Sequence, residues 1–241
     1  MDIDFSKVKG IIFDYGGTID TGGDHWSEVI WDAWQKAGVA CDKAEFRECY
    51  VFAERELART LHILPHHDFG DLLDIKIKIE LQHLCEMGRF AVGDVDEMSQ
   101  RIARLCLDSA SQSVESVKPV LEALSKKYPL VLVSNFYGNI SEVLKQFGIS
   151  GYFKKVIESA VVGVRKPDPR IFLLGVEALG LTPEEVVVIG DSYKKDIKAA
   201  EKAGCQAIWI KGKQWSEEEA AVIHPNTISK LGEILGFIDA V

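Results

Sequence analysis

Residues 8–18 read Val-Lys-Gly-Ile-Ile-Phe-Asp-Tyr-Gly-Gly-Thr, an apolar run rich in β-branched residues that leads into an acid and a glycine pair. Such a run, bounded by turn residues, predicts a buried strand over Val8–Phe13 with Asp14 at its carboxyl end. Open α/β sheets bind ligands at the carboxyl ends of their strands. Asp14 is therefore the first candidate for a functional residue, although an acid in this position is often an ordinary loop or helix-cap residue.

Similar runs further along the chain predict the rest of a sheet, at Leu130–Ser134, Lys155–Glu158, Val186–Ile189 and Gln206–Ile210. Helical patterns alternate with these runs. Three of those patterns stop at a glycine suited to a left-handed C-terminal cap, namely Gly148, Gly180 and Gly204. Because strands and helices alternate, we predict an α/β fold with a doubly wound parallel sheet and a Rossmann-like core.

The segment between the first two predicted strands, residues 14–129, is far longer than a βαβ crossover, which needs about 30 residues in total. Apolar residues recur in it at helical spacing, first from Trp26 to Ala37 and again from Phe46 to Leu57. We therefore predict an inserted all-helical cap domain over residues 22–110. The α/β core domain then consists of residues 1–21 and 111–241.

Two further stretches of the predicted cap carry signals of local structure. Residues 75–81 read Ile-Lys-Ile-Lys-Ile-Glu-Leu and alternate as in a strand, but the neighbouring sequence favours a helix, and we predict a helix there. Asp94 and Glu97 have the spacing of a capping box, which predicts the start of another helix.

Composition limits the class of protein. The chain has 28 basic and 37 acidic residues and a formal charge of −9, which disfavours nucleic-acid binding but is compatible with a small anionic ligand. Its five cysteines include no Cys-x-x-Cys pair, which favours reduced thiols and a cytoplasmic location. The N-terminus lacks an apolar core and no apolar run approaches about 20 residues, so we expect neither secretion nor a membrane partner.

Polar side chains recur at the predicted edge of the sheet. Ser134 and Asn135 end the second strand, Lys166 precedes a helix, and Asp191 follows the fourth strand with Asp196 five residues later. A hydroxyl and an amide suit an anionic oxygen, and two acids at one edge suit a hard divalent cation. Each motif alone could be a turn or a solvated residue, but their joint occurrence by chance is improbable.

With these four motifs in order, the sequence resembles the haloacid dehalogenase-like hydrolases from Val8 to about Trp209. The stretches Gly163–Phe172 and Gly190–Ser192 carry the most specific part of this resemblance. Members of that family have a helical cap between the first two motifs. The resemblance implies that Asp14 is the catalytic nucleophile and that Ser134 and Lys166 hold the transferred phosphoryl group.

The resemblance also implies a magnesium site. Its ligands would be Asp14, Asp191 and the backbone carbonyl of Gly16, with Asp196 in support. Backbone amides from Tyr15 to Thr18, and hence Gly17 and Thr18, would complete the phosphate pocket together with Asn135. The implied reaction is Mg²⁺-dependent hydrolysis of a small phosphorylated metabolite through an aspartyl-phosphate intermediate.

The sequence departs from the family pattern at Gly16. Phosphatases of the family usually carry a second Asp here, which protonates the leaving oxygen and then activates water. General acid–base catalysis is typically worth about 10²–10⁴-fold, so we expect slow hydrolysis of ordinary esters unless another group substitutes. The side chains that we consider as substitutes are Asp20, His25, His62, His66 and His67.

Alternatives to a phosphatase remain open. One is phosphonatase-like or other non-ester hydrolysis; the phosphonatase reaction requires a cap lysine that forms an imine, for which Lys43, Lys76 and Lys78 are candidates. Another is a weakly active relative that binds phosphate and regulates. Dehalogenation is disfavoured because family dehalogenases generally lack the metal-binding acids present here. The sequence does not identify the substrate, and it leaves open whether the protein is a monomer or a homodimer.

Overall fold

A computed structural model describes residues 3–91, 93 and 95–238. In this part of the chain one parallel sheet has the strand order β3-β2-β1-β4-β5-β6. The strands are β1 (Gly10–Phe13), β2 (Leu130–Ser134), β3 (Phe153–Glu158), β4 (Val186–Gly190), β5 (Gln206–Ile210) and β6 (Thr227–Ile228). The predicted α/β fold with a Rossmann-like parallel sheet is therefore confirmed.

The centre of the sheet is buried on both faces. Every residue of β1, β2 and β4 is buried, which explains why these strands read as continuous apolar runs instead of alternating patterns. The bounds of β2 and β5 are those predicted. Strand β1 begins at Gly10, two residues later than predicted, and the two-residue β6 was not predicted.

Helices surround the sheet and fill the long insertion. They are α1 (Trp26–Ala37), α2 (Lys43–Arg59), α3 (Phe69–Glu86), α4 (Val95–Lys127), α5 (Ile140–Gln146), α6 (Ser159–Val162), α7 (Arg170–Leu179), α8 (Lys198–Lys202), α9 (Glu217–Ala220) and α10 (Glu233–Ile238). The three glycines predicted to follow helices, Gly148, Gly180 and Gly204, all have a positive φ. Among the described residues, none of the helices has both the length and the apolar character that crossing a membrane requires.

The insertion between β1 and β2 is helical throughout its regular elements. Segment 75–81 lies inside α3, so the helical prediction is confirmed, and Ile77 and Leu81 are buried one turn apart. Helix α3 starts with a capping box between Asp68 and Asp71. The capping box predicted for Asp94 lies outside the described residues.

The predicted boundary between cap and core, near residue 110, lies in the middle of α4. This helix packs against α1 and α3 and also contacts α10 near the chain's end. One rigid element is therefore shared by the inserted helices and the sheet domain. The division into a cap at 22–110 and a core at 1–21 and 111–241 stays a proposal.

Candidate active site

The carboxyl edge of the sheet brings the predicted residues to one cavity. Asp14 follows β1, Ser134 ends β2 and Asp191 follows β4, and all three line a cavity of about 130 Å³ together with Lys166 and Asp196. Each of the five residues is at most 5% exposed. Residues that are distant in sequence thus meet because parallel strands end at the same edge.

Lys166 is the cation at the centre of this cluster. Its Nζ lies 2.5 Å from Oδ1 of Asp14 and 2.7 Å from Oδ1 of Asp196. Burial alone would lower the pKa of Lys166, but the two carboxylates outweigh it and raise the pKa above its ordinary value. Lys166 is therefore a permanent positive charge next to the carboxylate of Asp14.

The cluster contains more negative than positive charge. Asp14, Asp191 and Asp196 each offer a carboxylate oxygen, and these oxygens lie within 4.8 Å of one another. Burial and the neighbouring carboxylates raise the pKa of Asp191 well above its ordinary value, and burial raises that of Asp196 as well. One lysine does not balance three buried acids, and hard oxygen ligands at this spacing fit a divalent cation such as Mg²⁺.

Asp196 lies in a single turn of π-helix, Tyr193–Ile197, directly after β4. Such turns are rare and often occur at functional sites. A Cβ on Gly190 would come within 2.3 Å of the Cβ of Asp196, so only glycine permits this approach. Both oxygens of Asp196 are already engaged, Oδ1 by Lys166 and Oδ2 by the backbone N–H of Ser192.

Gly17 and Thr18, which were predicted to bind phosphate, lie against the carboxylates and are not among the residues that line the cavity. The hydroxyl of Thr18 lies 3.3 Å from an oxygen of Asp14 and 3.3 Å from one of Asp191. Gly17 has φ 94°, and a Cβ there would lie 2.2 Å from the Asp191 carboxylate. The N–H of Gly17 is donated to Asp20, and that of Thr18 to a carbonyl within the loop.

Asn135 lines the cavity, but its side chain joins two loops. Its Nδ2 donates to the backbone carbonyl of Lys166 at 3.0 Å, and its Oδ1 accepts the backbone N–H of Lys166 at 2.9 Å. This pair of hydrogen bonds fixes the segment that carries the central cation. The side-chain amide of Asn135 therefore positions Lys166, and its contact with a phosphate stays a prediction.

The space beside Gly16 is bounded by Trp26. A Cβ on Gly16 would meet nothing closer than the indole ring, at 3.9 Å. The indole N–H donates to Oδ2 of Asp20 at 3.0 Å. Asp20 is 1% exposed, and burial raises its pKa to about 8, so this carboxyl is largely protonated at neutral pH. It does not line the cavity, however, because Trp26 does so in its place.

Of the histidines considered as substitutes for the missing acid, His25 alone lines the cavity. Its Nδ1 accepts the backbone N–H of Ser27 at 3.2 Å, which leaves the ring proton on Nε2. Burial, followed by the nearby Lys195, lowers the pKa of His25 to about 3. The ring is neutral at neutral pH and cannot act as a protonated general acid. His62, His66 and His67 lie outside the cavity lining.

The inserted helices contribute a second polar group to the cavity wall. Lys76 of α3 forms an ion pair with Glu54 of α2, and its ammonium lies 4.2 Å from the centre of the Tyr50 ring. Tyr137 donates its hydroxyl to the same Glu54 oxygen at 3.2 Å. Glu54 and Tyr137 were not predicted from the sequence. The position of Glu54 in the sequence could have indicated its role, because it is an acid one helical turn after Tyr50, beside the apolar stripe of α2.

The lysines considered for imine formation differ in position and charge. Only Lys76 lines the cavity, whereas Lys43 and Lys78 form ion pairs elsewhere, with Glu28 and with an acid of α4. Burial opposes the charge on Lys76, but Glu54 and neighbouring groups raise its pKa well above the ordinary value. An amine that stays protonated is a poor nucleophile.

Comparison with known proteins gives a consistent match. A family model described as haloacid dehalogenase-like hydrolase matches residues 8–204. Phosphoserine phosphatase from Thermus thermophilus is 30% identical over 133 residues, which are 46% of this chain and 53% of that protein. Glyceraldehyde 3-phosphate phosphatase from Methanopyrus kandleri is 38% identical over 78 residues, 32% of this chain and 34% of that protein. The chain thus spans about half the length of these relatives, or less.

Solved structures share the fold over nearly the whole chain. The HAD-hydrolase YfnB from Bacillus subtilis, solved bound to magnesium, has a TM-score of 0.64 and 18% identity, and the alignment covers 96% of this chain and 99% of that one. A 2-haloacid dehalogenase from Pseudomonas syringae has a TM-score of 0.53 and 22% identity, with 97% and 99% covered. At these identities the likeness shows the fold alone.

Proposed function

The chain belongs to the haloacid dehalogenase-like hydrolases, and we propose that it removes the phosphoryl group from a small phosphorylated metabolite with Asp14 as the nucleophile. The observation that carries this proposal is the pairing of Asp14 with Lys166 inside a buried cavity that also holds two further acids. The phosphatases among its relatives support the same reaction class.

The reaction follows from the positions of these side chains. The carboxylate of Asp14 attacks phosphorus, the bond from phosphorus to the leaving oxygen breaks, and an aspartyl-phosphate forms. Water then attacks the same phosphorus and releases phosphate, which restores Asp14. Lys166 neutralises charge on the phosphoryl oxygens throughout, and the hydroxyl of Ser134, 1% exposed at the cavity wall, donates a hydrogen bond to one of them.

The acid cluster fits a magnesium ion. Asp14, Asp191 and the backbone carbonyl of Gly16 would hold it, and Asp196 would support the site through Lys166, since both of its oxygens are engaged. When bound, Mg²⁺ reduces the repulsion between a carboxylate and a phosphate and polarises the phosphoryl oxygen.

The leaving group receives little help from this chain. Apart from its chain neighbours, a Cβ on Gly16 would have only atoms of Trp26 within 4 Å among the described residues, and the protonated Asp20 lies behind Trp26. We therefore propose that the enzyme works best on substrates whose leaving group needs no proton, such as acyl or aryl phosphates. Imine-based phosphonate cleavage is disfavoured because Lys76 is protonated, and a purely binding role is disfavoured because the complete nucleophile and charge cluster is retained.

The proposal includes a cellular location. No disulfide joins any of the five cysteines, all of which lie in the described part of the chain. This agrees with a reducing compartment, and we keep the cytoplasm as the expected location. Whether the enzyme acts as a monomer or a homodimer is left to measurement.

The proposal is tested by phosphate release from acyl, aryl and alkyl phosphates and from a phosphonate, each with and without Mg²⁺. We expect magnesium-dependent release, fastest from the acyl and aryl phosphates, and none from Asp14→Asn. Release from the phosphonate alone would replace the phosphatase by a phosphonatase. Absence of release from every compound would favour the binding protein.

A further inference from the structure

A second, larger cavity adjoins the one described above. Its volume is about 480 Å³, and it lies between the end of α2 and the segment 159–165 that follows β3. Five residues line both cavities: Glu54, Asn135, Phe136, Tyr137 and Lys195. The two cavities are therefore adjacent at these five residues.

The outer cavity is positively charged although the whole chain is not. Arg59, Arg165 and Lys195 line it, and Glu54 is the single acid in its wall. Glu54 is already paired with Lys76. The formal charge of the chain is −9, so an excess of cations around one cavity is a local feature.

Two of these cations have no partner. The guanidinium of Arg165 and the ammonium of Lys195 form neither a hydrogen bond nor an ion pair with any residue that the structure describes, and both residues are exposed. Arg59 reaches Glu56 at 4.0 Å, at the limit of an ion pair, and donates its Nε–H to the carbonyl of Arg55 at 3.3 Å. The side chains of Arg165 and Lys195 are free to bind an anion from outside the chain.

The inner cavity offers little to a second anionic group. At about 130 Å³ it is the smaller of the two cavities. Its wall on the side of the inserted helices is formed by the Lys76–Glu54 pair, which has no net charge, by the neutral His25 and by apolar side chains. Lys195 lines both cavities and marks the direction in which the rest of a longer substrate is proposed to extend.

We propose that the outer cavity is an anion subsite for the leaving group, bound by Lys195, Arg165 and Arg59. This inference rests on the proposed phosphatase function and deepens it. The substrate is then a phosphorylated compound whose leaving group carries a second anionic group, a carboxylate or a second phosphate. Both groups offer the planar or clustered oxygens that arginine and lysine bind with charge-assisted hydrogen bonds.

The test compares three esters with similar alkoxide leaving groups in the presence of Mg²⁺: glycerol 3-phosphate, 3-phosphoglycerate and glycerol 1,3-bisphosphate. We expect kcat/KM to be at least about tenfold higher for one or both of the doubly anionic esters, as a charge-assisted contact provides. Preference for 3-phosphoglycerate alone identifies a carboxylate, and preference for the bisphosphate alone identifies a second phosphate.

Charge removal then assigns the preference to the outer cavity. Lys195→Gln and Arg165→Gln should each reduce the preference several-fold, mainly through KM, and the double variant should abolish it. Lys194→Gln is the matched control, because Lys194 is the exposed neighbour of Lys195 and does not line either cavity. Equal loss on all three esters, or no preference in the unchanged enzyme, would overturn the subsite.

Failure of the subsite can be told apart from failure of the proposed function. Binding of the same three esters to Asp14→Asn is measured by calorimetry, which needs no turnover. Tighter binding of the doubly anionic esters, weakened by Lys195→Gln, supports the subsite even if no ester is hydrolysed. Equal binding of all three contradicts the subsite even if hydrolysis occurs.

Discussion

At the scale of single residues, we expect Gly16 to limit which substrates are hydrolysed rapidly. Its position leaves room for a side chain, since an added Cβ would meet only the indole of Trp26 at 3.9 Å. That indole already donates its N–H to Asp20, so it does not replace the missing proton donor. The site therefore lacks the carboxyl group that the second Asp of related phosphatases provides for acid–base catalysis.

Restoring the carboxyl should therefore restore acid catalysis selectively. We expect Gly16→Asp to raise kcat/KM for alkyl phosphates by about 10-fold or more, within the 10²–10⁴ range of general acid–base catalysis, and to have a much smaller effect on acyl phosphates. Steady-state kinetics on both classes is the measurement. Gly16→Asn adds similar bulk without an ionisable group and should not accelerate either. Equal effects of Gly16→Asp on both classes would contradict this role of Gly16.

Asp191 is the acid of the cluster whose negative charge is opposed by burial and by the neighbouring carboxylates. Burial and like charges raise its pKa well above the ordinary value, so we expect the charged carboxylate to destabilise the site when no cation is bound. We expect Asp191→Asn to raise the melting temperature without Mg²⁺ and to abolish the rise that Mg²⁺ causes in the unchanged protein. Saturating metal at 100 Kd corresponds to about 2.7 kcal/mol of stabilisation.

Thermal melts of Asp191→Asn and of the unchanged protein, each with and without Mg²⁺, measure these two changes in melting temperature. Asp108→Asn is the control, because Asp108 is exposed on α4, away from the cluster. It should leave the response to Mg²⁺ unchanged. A full response to Mg²⁺ in Asp191→Asn would remove Asp191 from the metal site.

At the scale of elements, α3 contains an acid whose surroundings oppose its charge. Glu80 is completely buried, and neither of its carboxylate oxygens has a hydrogen-bond partner of ordinary geometry in the described structure. Burial raises its pKa to about 8, although Lys76 and the indole of Trp34 act in the opposite direction. The folded protein therefore keeps a proton on Glu80 that the unfolded chain releases at lower pH.

This difference has a definite sign in the dependence of stability on pH. Because the pKa of Glu80 is higher in the folded than in the unfolded protein, Glu80 adds a stabilising contribution to the free energy of unfolding. This contribution is complete below the ordinary glutamate pKa of 4.5 and is lost as the pH rises towards about 8. We expect Glu80→Gln to flatten the fall of the unfolding free energy with pH and to be more stable above that range by roughly 1–3 kcal/mol. Denaturant unfolding at a series of pH values measures it.

The control for this experiment is Glu177→Gln, since Glu177 is exposed on α7. It should leave the pH dependence as it is in the unchanged protein. Identical slopes for Glu80→Gln and the unchanged protein would show that Glu80 does not hold a proton in the folded state.

Elements also show what the sequence can and cannot predict. Strands β2 and β5 have the predicted bounds because continuous β-branched runs end at polar residues there. Strand β6 was missed because two residues carry no periodicity, and its pairing with β5 is purely tertiary. The π-turn that carries Asp196 was missed as well, since its extra residue depends on packing against Gly190.

The candidate site was predictable to the extent that it follows strand ends. Asp14, Ser134 and Asp191 could be placed at one edge because parallel strands share their direction. The buried positions of Gly17 and Thr18, and the engagement of Asn135 by Lys166, depend on loop conformation that no local pattern encodes. The direct contacts of these residues with phosphate stay predictions.

At the scale of the whole molecule, the proposed substrate site is built from two parts of the chain that are far apart in sequence. Helices α2 and α3 provide Glu54 and Lys76, while Arg165 and Lys195 come from the segments around the sheet edge. Of these four residues, the sequence analysis considered only Lys76, as a candidate for imine formation. It did not identify the other three as pocket residues. Which helix faces the sheet edge is a property of the packed molecule, not of any one segment.

The central claim is that Asp14 carries the phosphoryl group during turnover. The direct measurement is acid quenching of the enzyme during reaction with an acyl phosphate and Mg²⁺, followed by mass spectrometry of its peptides. We predict that the peptide containing Asp14 gains the mass of one phosphoryl group, and that hydroxylamine removes it. Turnover with the phosphoryl group on another residue, or undiminished turnover by Asp14→Asn, would contradict the account.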